Sequence, residues 1–321
     1  MSDSTSQVPS VTVITPVFNE RENLGSYAER VAATLLNRDD YRFEVLFVDD
    51  GSSDGSWQEI DALCNRNKRF AGIRLSRNYG SHIALSAGFA AAHGDVVTTL
   101  ACDLQDPPEV ILDFLAHWRG GAKIVWGRRR TRQDGTWRAL ASRAFQFLLS
   151  RFAMPSGSKF TTGSFLLADK LVVGCFNQFQ EHHRITFAIV AWTGFDQAVV
   201  DYDRQPRLAG RSKWNFGRML KTMYDAFIGF SMLPIRIMTF TGLAVFVVAV
   251  GILCYLVFAW LVGQPAPGWT SQMFALAFFF GLQFLLMGIT GEYLYRIYAE
   301  VVRRPLYFIA DFTGDRAAKR G

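Results

Sequence analysis

Three groups of side chains in this 321-residue chain have the types and spacing to do chemistry. The first is DDGSSDGS (49–56), where Asp49 and Asp50 stand side by side before a Gly-Ser turn. Asp54 or Ser53 is an ordinary cap for a following helix. Adjacent carboxylates cost energy unless donors meet them, so Asp49 and Asp50 read either as part of that turn or as acceptors for a nucleotide. The second is ACDLQDPPE (101–109), in which one residue separates Asp103 from Gln105. That spacing lets both side-chain oxygens reach a hard divalent ion. The third is basic: Arg128, Arg129, Arg130 and Arg132 in GRRRTR, then Arg207, Arg211 and Lys213 in RLAGRSK. Guanidinium forks suit phosphate oxygens, although basic runs beside a bilayer also attract anionic headgroups.

Short apolar runs rich in β-branched residues position these groups. VTVIT (11–15), FEVLFVD (43–49), GIRLS (72–76), DVVTTL (95–100) and KIVWG (123–127) read as strands, with helices near 20–36, 55–68, 81–93 and 108–119 between them. Strand and helix alternating at this interval predict a mainly parallel sheet covered on both faces. Such sheets bind ligands at the carboxyl ends of their strands, which is where the two acidic motifs fall. PVFNE after the first strand is not a glycine fingerprint, which disfavours a dinucleotide fold. Pro107 or Pro108 starts the helix that follows Gln105.

Half of the residues are hydrophobic, the net charge is +6, and the mean hydropathy is positive, which excludes a disordered chain. The apolar excess is concentrated: from Ile237 to Gly291 there is no Asp, Glu, Lys, Arg or His. A bilayer core needs about 20 apolar residues per helix, and the stretch holds two such runs, about 237–262 and 273–291. GQPAPGWTSQ between them supplies a turn at headgroup level. Arg218, Lys221 and Arg236 precede this hairpin and Arg296, Arg303 and Arg304 follow it, while the loop is uncharged, so both termini are expected in the cytoplasm. MSDSTSQVPS lacks the charge and apolar core of a signal peptide. The four cysteines have no paired metal spacing and fit a reducing compartment. The stretches 136–152 and 215–230 are amphipathic; the second is expected to lie in the membrane interface because it runs into the first span.

TPVFNE, VDDGSSDGS, RNYGSHIALSAGF and CDLQDPPE, in that order and spacing, resemble the family 2 glycosyltransferases of the GT-A fold. YDRQPRLAGRSKWNF followed by the hairpin narrows the resemblance to the polyprenyl-phosphate glycosyltransferases. That group includes dolichol-phosphate mannose synthase and the bacterial undecaprenyl-phosphate glucosyl- and aminoarabinosyltransferases. The resemblance implies a GT-A, Rossmann-like α/β catalytic domain over 1–214, an interfacial helix over 215–232, a transmembrane hairpin over 233–295 and a basic cytosolic tail over 296–321. It implies that Pro16, Glu20, Asp49 or Asp50, and Arg128 line the nucleotide pocket. Asp103 and Gln105 would hold Mg²⁺ or Mn²⁺, and Arg207, Arg211 and Lys213 would meet the acceptor phosphate. Catalysis would rest on Asp103, Arg207, Lys213 and Ser164.

Two departures stand out. The family's Asp-Ala-Asp-Leu-Gln reads Ala101-Cys102-Asp103-Leu104-Gln105 here, and the Asp of its Thr-Gly-Asp-Phe is Ser164. The expected activity is inverting transfer of one sugar from a nucleotide-sugar, taken first as UDP-linked, to polyprenyl phosphate at the inner face of the cytoplasmic membrane. The alternative is a catalytically silent partner in lipid-linked sugar assembly. Expected partners are the donor, the polyprenyl phosphate and the bilayer; no nucleic acid is implied, and a homo-oligomer is compatible with the sequence. His82 reads as a packing or capping residue, and His182, His183 and Arg184 as candidates for shaping the sugar pocket.

Overall fold

The computed structural model describes residues 8–130, 165–182, 184–205, 233–262 and 268–314. The chain divides into two compact units, one made of Met1–Met219 with Pro305–Gly321 and the other of Leu220–Arg304.

In the first unit all five expected strands are present: β1 (Ser10–Val17), β2 (Arg42–Asp49), β3 (Phe70–Leu75), β4 (Val96–Thr99) and β5 (Ile124–Arg129). The four expected helices lie between them as α1 (Arg21–Val31), α2 (Ser56–Arg66), α3 (Ser81–Ala91) and α4 (Val110–Arg119), with a π-helical turn over Ala32–Leu36 extending α1. Three further strands complete the sheet: β6 (Leu166–Asp169), β7 (Gln197–Tyr202) and β8 (Ile309–Thr313). Short helices α5 (Lys170–Phe176) and α6 (Thr186–Trp192) follow β6.

The strand order is β7-β5-β6-β4-β1-β2-β3-β8. β4, β1, β2 and β3 run parallel, whereas β6 pairs antiparallel with β4 and β5, and β8 pairs antiparallel with β3. The sheet is therefore mixed and mainly parallel. Its central strands are apolar on both faces because both faces are covered, and Val13, Ile14, Val45, Leu46 and Phe47 are fully buried. α3 lies so close to β1 that a Cβ on Gly88 would stand 2.4 Å from Ile14 Cγ2. Glycine is required there by the close approach.

The segment 296–321, expected as a tail, carries structure the sequence reading did not include. It holds the last turns of a long helix and then β8, which closes the β3 edge of the sheet. Thr313 ties β8 to α2 through a hydrogen bond to Asp61, and the Ser76 amide donates to the Phe308 carbonyl at 2.9 Å.

The second unit contains two long helices, α7 (Leu233–Leu261) and α8 (Trp269–Val302). Phe240, Phe246, Phe258 and Leu261 of α7 are each 64–70% exposed, and a helix apolar all round needs apolar surroundings. Among the described residues one stretch, Ile237–Ala259, is long and apolar enough to cross a bilayer. The expected second run, 273–291, falls inside α8. The amphipathic stretches 136–152 and 215–230 lie outside the described residues.

Candidate active site

The topology selects the place to look. From β1 the chain steps to β2 and β3 on one side and then returns to put β4 on the other side of β1. Ligands of open α/β sheets bind at the carboxyl ends of strands where the order reverses in this way. Two of the three non-glycine residues with positive φ among the described residues sit there: Asn19 at 52°, after β1, and Leu104 at 51°, after β4. Backbone held in this sparsely populated region marks sites where side chains must be aimed. Asn19 precedes Glu20, and Leu104 separates Asp103 from Gln105.

The loops after β1 and β2 are laced together. The Asn19 amide donates to Ser52 Oγ at 2.9 Å, the Glu20 amide to Ser56 Oγ at 3.1 Å and the Ser53 amide to Asn19 Oδ1 at 2.9 Å. The N-cap of α2 is Gly55, not the expected Asp54 or Ser53; Asp54, one residue earlier, accepts from the Ser56 amide at 2.9 Å and from the Arg21 amide at 3.2 Å and so holds the start of the helix. Glu20 Oε2 accepts from Asn23 Nδ2 at 2.6 Å. Pro16 is half-buried at the end of β1, paired in register with Val48.

Asp49 and Asp50 are both held by the protein itself. Asp50 accepts the amides of Tyr79 and Gly80, each at 2.8 Å, and so fixes the entrance to α3. Asp49 accepts the Ser52 amide at 3.1 Å, and its Oδ2 lies 3.3 Å from Arg74 Nε. Burial pushes both carboxyls above the usual carboxylate range, against these hydrogen bonds. Asp49 Oδ2 is buried and receives no hydrogen bond despite the ion pair with Arg74, which leaves an acceptor there. Gly51, directly after Asp50, has φ +70°, and a Cβ would come 2.5 Å from the Arg77 carbonyl carbon. The turn can be made only by glycine.

After β4, Asp103 is 7% exposed, and its Oδ1 accepts the Gln105 amide at 3.2 Å. Among the described residues no group of three or more His, Cys, Asp or Glu side chains could hold a metal alone. The donor set is one carboxylate and one amide, all oxygen, which fits a hard divalent cation provided substrate phosphates supply the remaining ligands. Cys102 is buried beside them, and desolvation, with the charges of Glu20 and Asp103, pushes its thiol far up. It is inert as a thiolate.

The arginine run is sorted by strand alternation. Arg128 and Arg129 are neighbours on β5, so they point to opposite faces. Arg128, expected in the nucleotide pocket, is 60% exposed and paired with Asp201, its register partner on β7, at 2.6 and 2.8 Å. Arg130 lies 3.8 Å from Asp203 at the surface. Arg129 is the one that turns inward, to Tyr202 and Asp106, where Asp103 also acts on it. Arg204, beyond β7, faces the same group, lowered by burial first and by the charge of Arg129 second. Arg204 lies within YDRQPRLAGRSKWNF, where residue type alone does not set it apart from Arg207 and Arg211. Period-two alternation of the RRR triplet was the signal for Arg129.

His82 matches the packing role read from the sequence. It is half-buried, its pKa is brought down to about 4 by desolvation, and its Nδ1 accepts the Thr186 amide at 3.4 Å. Arg184 is also structural, donating to the Phe176 carbonyl at 3.2 Å with its guanidinium over the Phe176 ring. His183, Ser164, Arg207, Arg211 and Lys213 lie outside the described residues.

Residues 12–176 match the family model described as glycosyl transferase family 2. An uncharacterised glycosyltransferase of Synechocystis is 34% identical over 95% of this chain and 96% of its own length. The SfII prophage-derived bactoprenol glucosyl transferase of Shigella flexneri is 32% identical over 93% of this chain and 97% of its own. Among solved structures, mannosyl-3-phosphoglycerate synthase from Rubrobacter xylanophilus superposes with a TM-score of 0.49 at 17% identity, covering 68% of this chain and 71% of that one. With the family model matched over half the chain and relatives matched over nearly all of it, the protein belongs to glycosyl transferase family 2 and is a glycosyltransferase.

Proposed function

We propose that this protein transfers one sugar from a nucleotide-sugar to polyprenyl phosphate at the cytoplasmic leaflet, as a membrane-anchored GT-A enzyme. The observation that carries the reading is the arrangement after β4 and β5: Asp103 and Gln105 at the switch point, with Arg129 and Arg204 turned toward the same place. A nucleoside diphosphate leaving group suits that mixture of charges. Bactoprenol glucosyl transferases among the relatives, 31–32% identical over 93% of the chain, support a polyprenyl phosphate acceptor and make UDP-glucose the first donor to try.

The chemistry asks little of a general base, because a lipid phosphate is already ionised near neutral pH. Its oxygen forms the new bond to the anomeric carbon while the bond to the departing diphosphate breaks, the electron pair leaving with the diphosphate oxygen. A divalent ion on Asp103 and Gln105 would supply charge neutralisation for that leaving group. Arg129 and Arg204 face the same developing charge in a partly desolvated cleft, where fixed donors are most effective. Asp49 Oδ2 offers its acceptor to an N–H of the base, and Asp50 keeps the loop at α3 in place beside it. Pro16 and Glu20 line the nucleotide side. Arg207, Arg211 and Lys213 are assigned to the acceptor phosphate, and Ser164 to the acceptor side of the sugar.

What supports a two-span hairpin is the return of the chain to the sheet. β8 pairs with β3, so residues before α7 and after α8 belong to one folded unit. A single crossing would leave β8 on the far side of the bilayer from β3, so this pairing supports an even number of crossings. If α7 crosses, α8 crosses back, and the arginines that flank the pair put the catalytic unit in the cytoplasm.

The test is transfer from a panel of nucleotide-sugars to a short-chain polyprenyl phosphate by the purified full-length protein with Mg²⁺ or Mn²⁺. Formation of a glycosyl phospholipid from one donor supports the reading. Donor binding without transfer to any acceptor would instead favour the silent partner suggested by Ala101 and Ser164.

A further inference from the structure

Asp106 has no part in the chemistry above, yet it is a deeply buried acid beside the cleft, 2% exposed. Three side chains from other elements converge on its Oδ1. The Tyr202 hydroxyl donates at 2.6 Å, Arg129 Nη2 lies at 3.6 Å and Arg204 Nε at 3.8 Å. The hydroxyl is tied in turn to Arg129, whose Nε donates to Tyr202 Oη at 3.3 Å.

The distances divide the partners into two kinds. Tyr202 makes a short hydrogen bond to a carboxylate, which fixes where Asp106 sits. The two guanidinium contacts are longer than hydrogen bonds, so Asp106 attracts both cations without consuming their N–H donors. Their side chains are 27% and 35% exposed, enough to meet a ligand. Two guanidinium groups that share one carboxylate oxygen repel each other, and Arg204 is lowered by burial first and then by the charge of Arg129. One buried carboxylate between them removes that repulsion. Asp103 and Asp106 against Arg129 and Arg204 make the local group neutral before substrate arrives.

We propose that Asp106 is a positioning residue for the transfer reaction: it holds Arg129 and Arg204 together beside Asp103, with their remaining donors directed to the oxygens of the departing nucleoside diphosphate. This rests on the function proposed above. When the bond from the anomeric carbon to the diphosphate oxygen breaks, its electron pair stays on that oxygen and the leaving group gains one negative charge, which the paired arginines meet without having to assemble. Removing Asp106 leaves the positive charges in the chain but loses their arrangement. The loss therefore falls on kcat, not on attraction for the donor.

The test is a double-mutant cycle on full-length protein, with kcat and donor KM measured for Asp106→Asn, Arg129→Lys and the double variant. Asp106→Asn is expected to lower kcat by about 10- to 100-fold with donor KM changed less than about threefold. Arg129→Lys in that background is expected to cost at most about a further threefold, because the arrangement it served is already gone. Tyr202→Phe, which leaves the carboxylate charged, should retain more activity than Asp106→Asn. Additive losses, or wild-type kcat in Asp106→Asn, overturn the inference. If Asp106→Asn fails to fold, Asp106→Glu takes its place in the cycle with the same two outcomes. A wild-type protein that transfers from no donor overturns the proposed function and this inference with it, whereas a wild type that transfers but shows additive losses overturns the inference alone.

Discussion

The main-chain amide of Gln205 donates to the carbonyl of Gln105 at 2.8 Å. The segment that leads into the basic residues Arg207, Arg211 and Lys213 is thus bonded directly to the motif that carries Asp103. Arg30 braces the junction, donating to the Gln205 side chain at 2.9 Å while pairing with Glu109 at 3.2 Å. The sequence proposed for the donor and the one proposed for the acceptor, a hundred residues apart, therefore share one hydrogen-bonded joint, which makes their separate roles testable by substitution.

Asp103→Asn should remove most transfer activity, on the order of a hundredfold in kcat, by taking away the carboxylate of a two-oxygen donor set. Full turnover of the wild type in excess chelator would contradict the metal assignment. Ala101 is half-buried, so Ala101→Asp should fold and should raise metal affinity. A melting temperature well below wild type would show instead that position 101 needs a small apolar group.

Arg207→Ala and Lys213→Ala should depress transfer to a soluble short-chain acceptor, in kcat as well as acceptor KM, while donor affinity stays near wild type. Wild-type rates with that acceptor, combined with weaker binding to anionic vesicles, would make these residues headgroup contacts and not acceptor ligands.

Gly268→Cys, on a background without Cys254, should react with an impermeant thiol reagent in intact cells, and Asp315→Cys should not. The reverse pattern would overturn the orientation. Labelling at both positions would contradict the proposed even number of crossings.

Asp95 links β1 to β4 and α5. A hydrogen bond from Lys170 first, then the amide and hydroxyl of Ser10, hold its carboxyl down at about 2 from an ordinary 3.8. The folded value lies below the unfolded one, so this stability is complete above about pH 4 and is lost as pH falls toward 2. The side chain is 41% exposed, and solvent screening limits the effect to about 1 kcal/mol or less. Asp95→Asn should lower Tm by about 2–4 °C at most near pH 6 and leave it unchanged near pH 2. Equal shifts at both values would contradict the linkage.

The parallel half of the sheet was legible because its strands are apolar on both faces and rich in β-branched residues, as in VTVIT and FEVLFVD. β6 and β8 were not. LLAD is only four residues long, and IADFT reads as a polar tail until its pairing with β3, more than two hundred residues earlier, is seen. In the site, the strand-end positions of Asp103 and Gln105 and the hold of Asp54 on the start of α2 follow from residue type and spacing. The burial of Asp49 and Asp50 does not, since nothing local reveals that the amides of Tyr79 and Gly80 arrive from the next strand's end. Asp106 looks like one more acid of a helix start until Tyr202, Arg129 and Arg204 are brought to it by β5 and β7.

The central claim is that this chain joins a sugar to a lipid phosphate with the groups after β4. It is tested most directly by mass spectrometry of the lipid fraction after purified wild type and Asp103→Asn are each incubated with UDP-glucose, Mn²⁺ and polyprenyl phosphate, with the other donors of the panel in parallel. The account predicts a polyprenyl phosphate heavier by one sugar from the wild type and little or none from the variant. No such product from any donor, or equal product from both proteins, would contradict it.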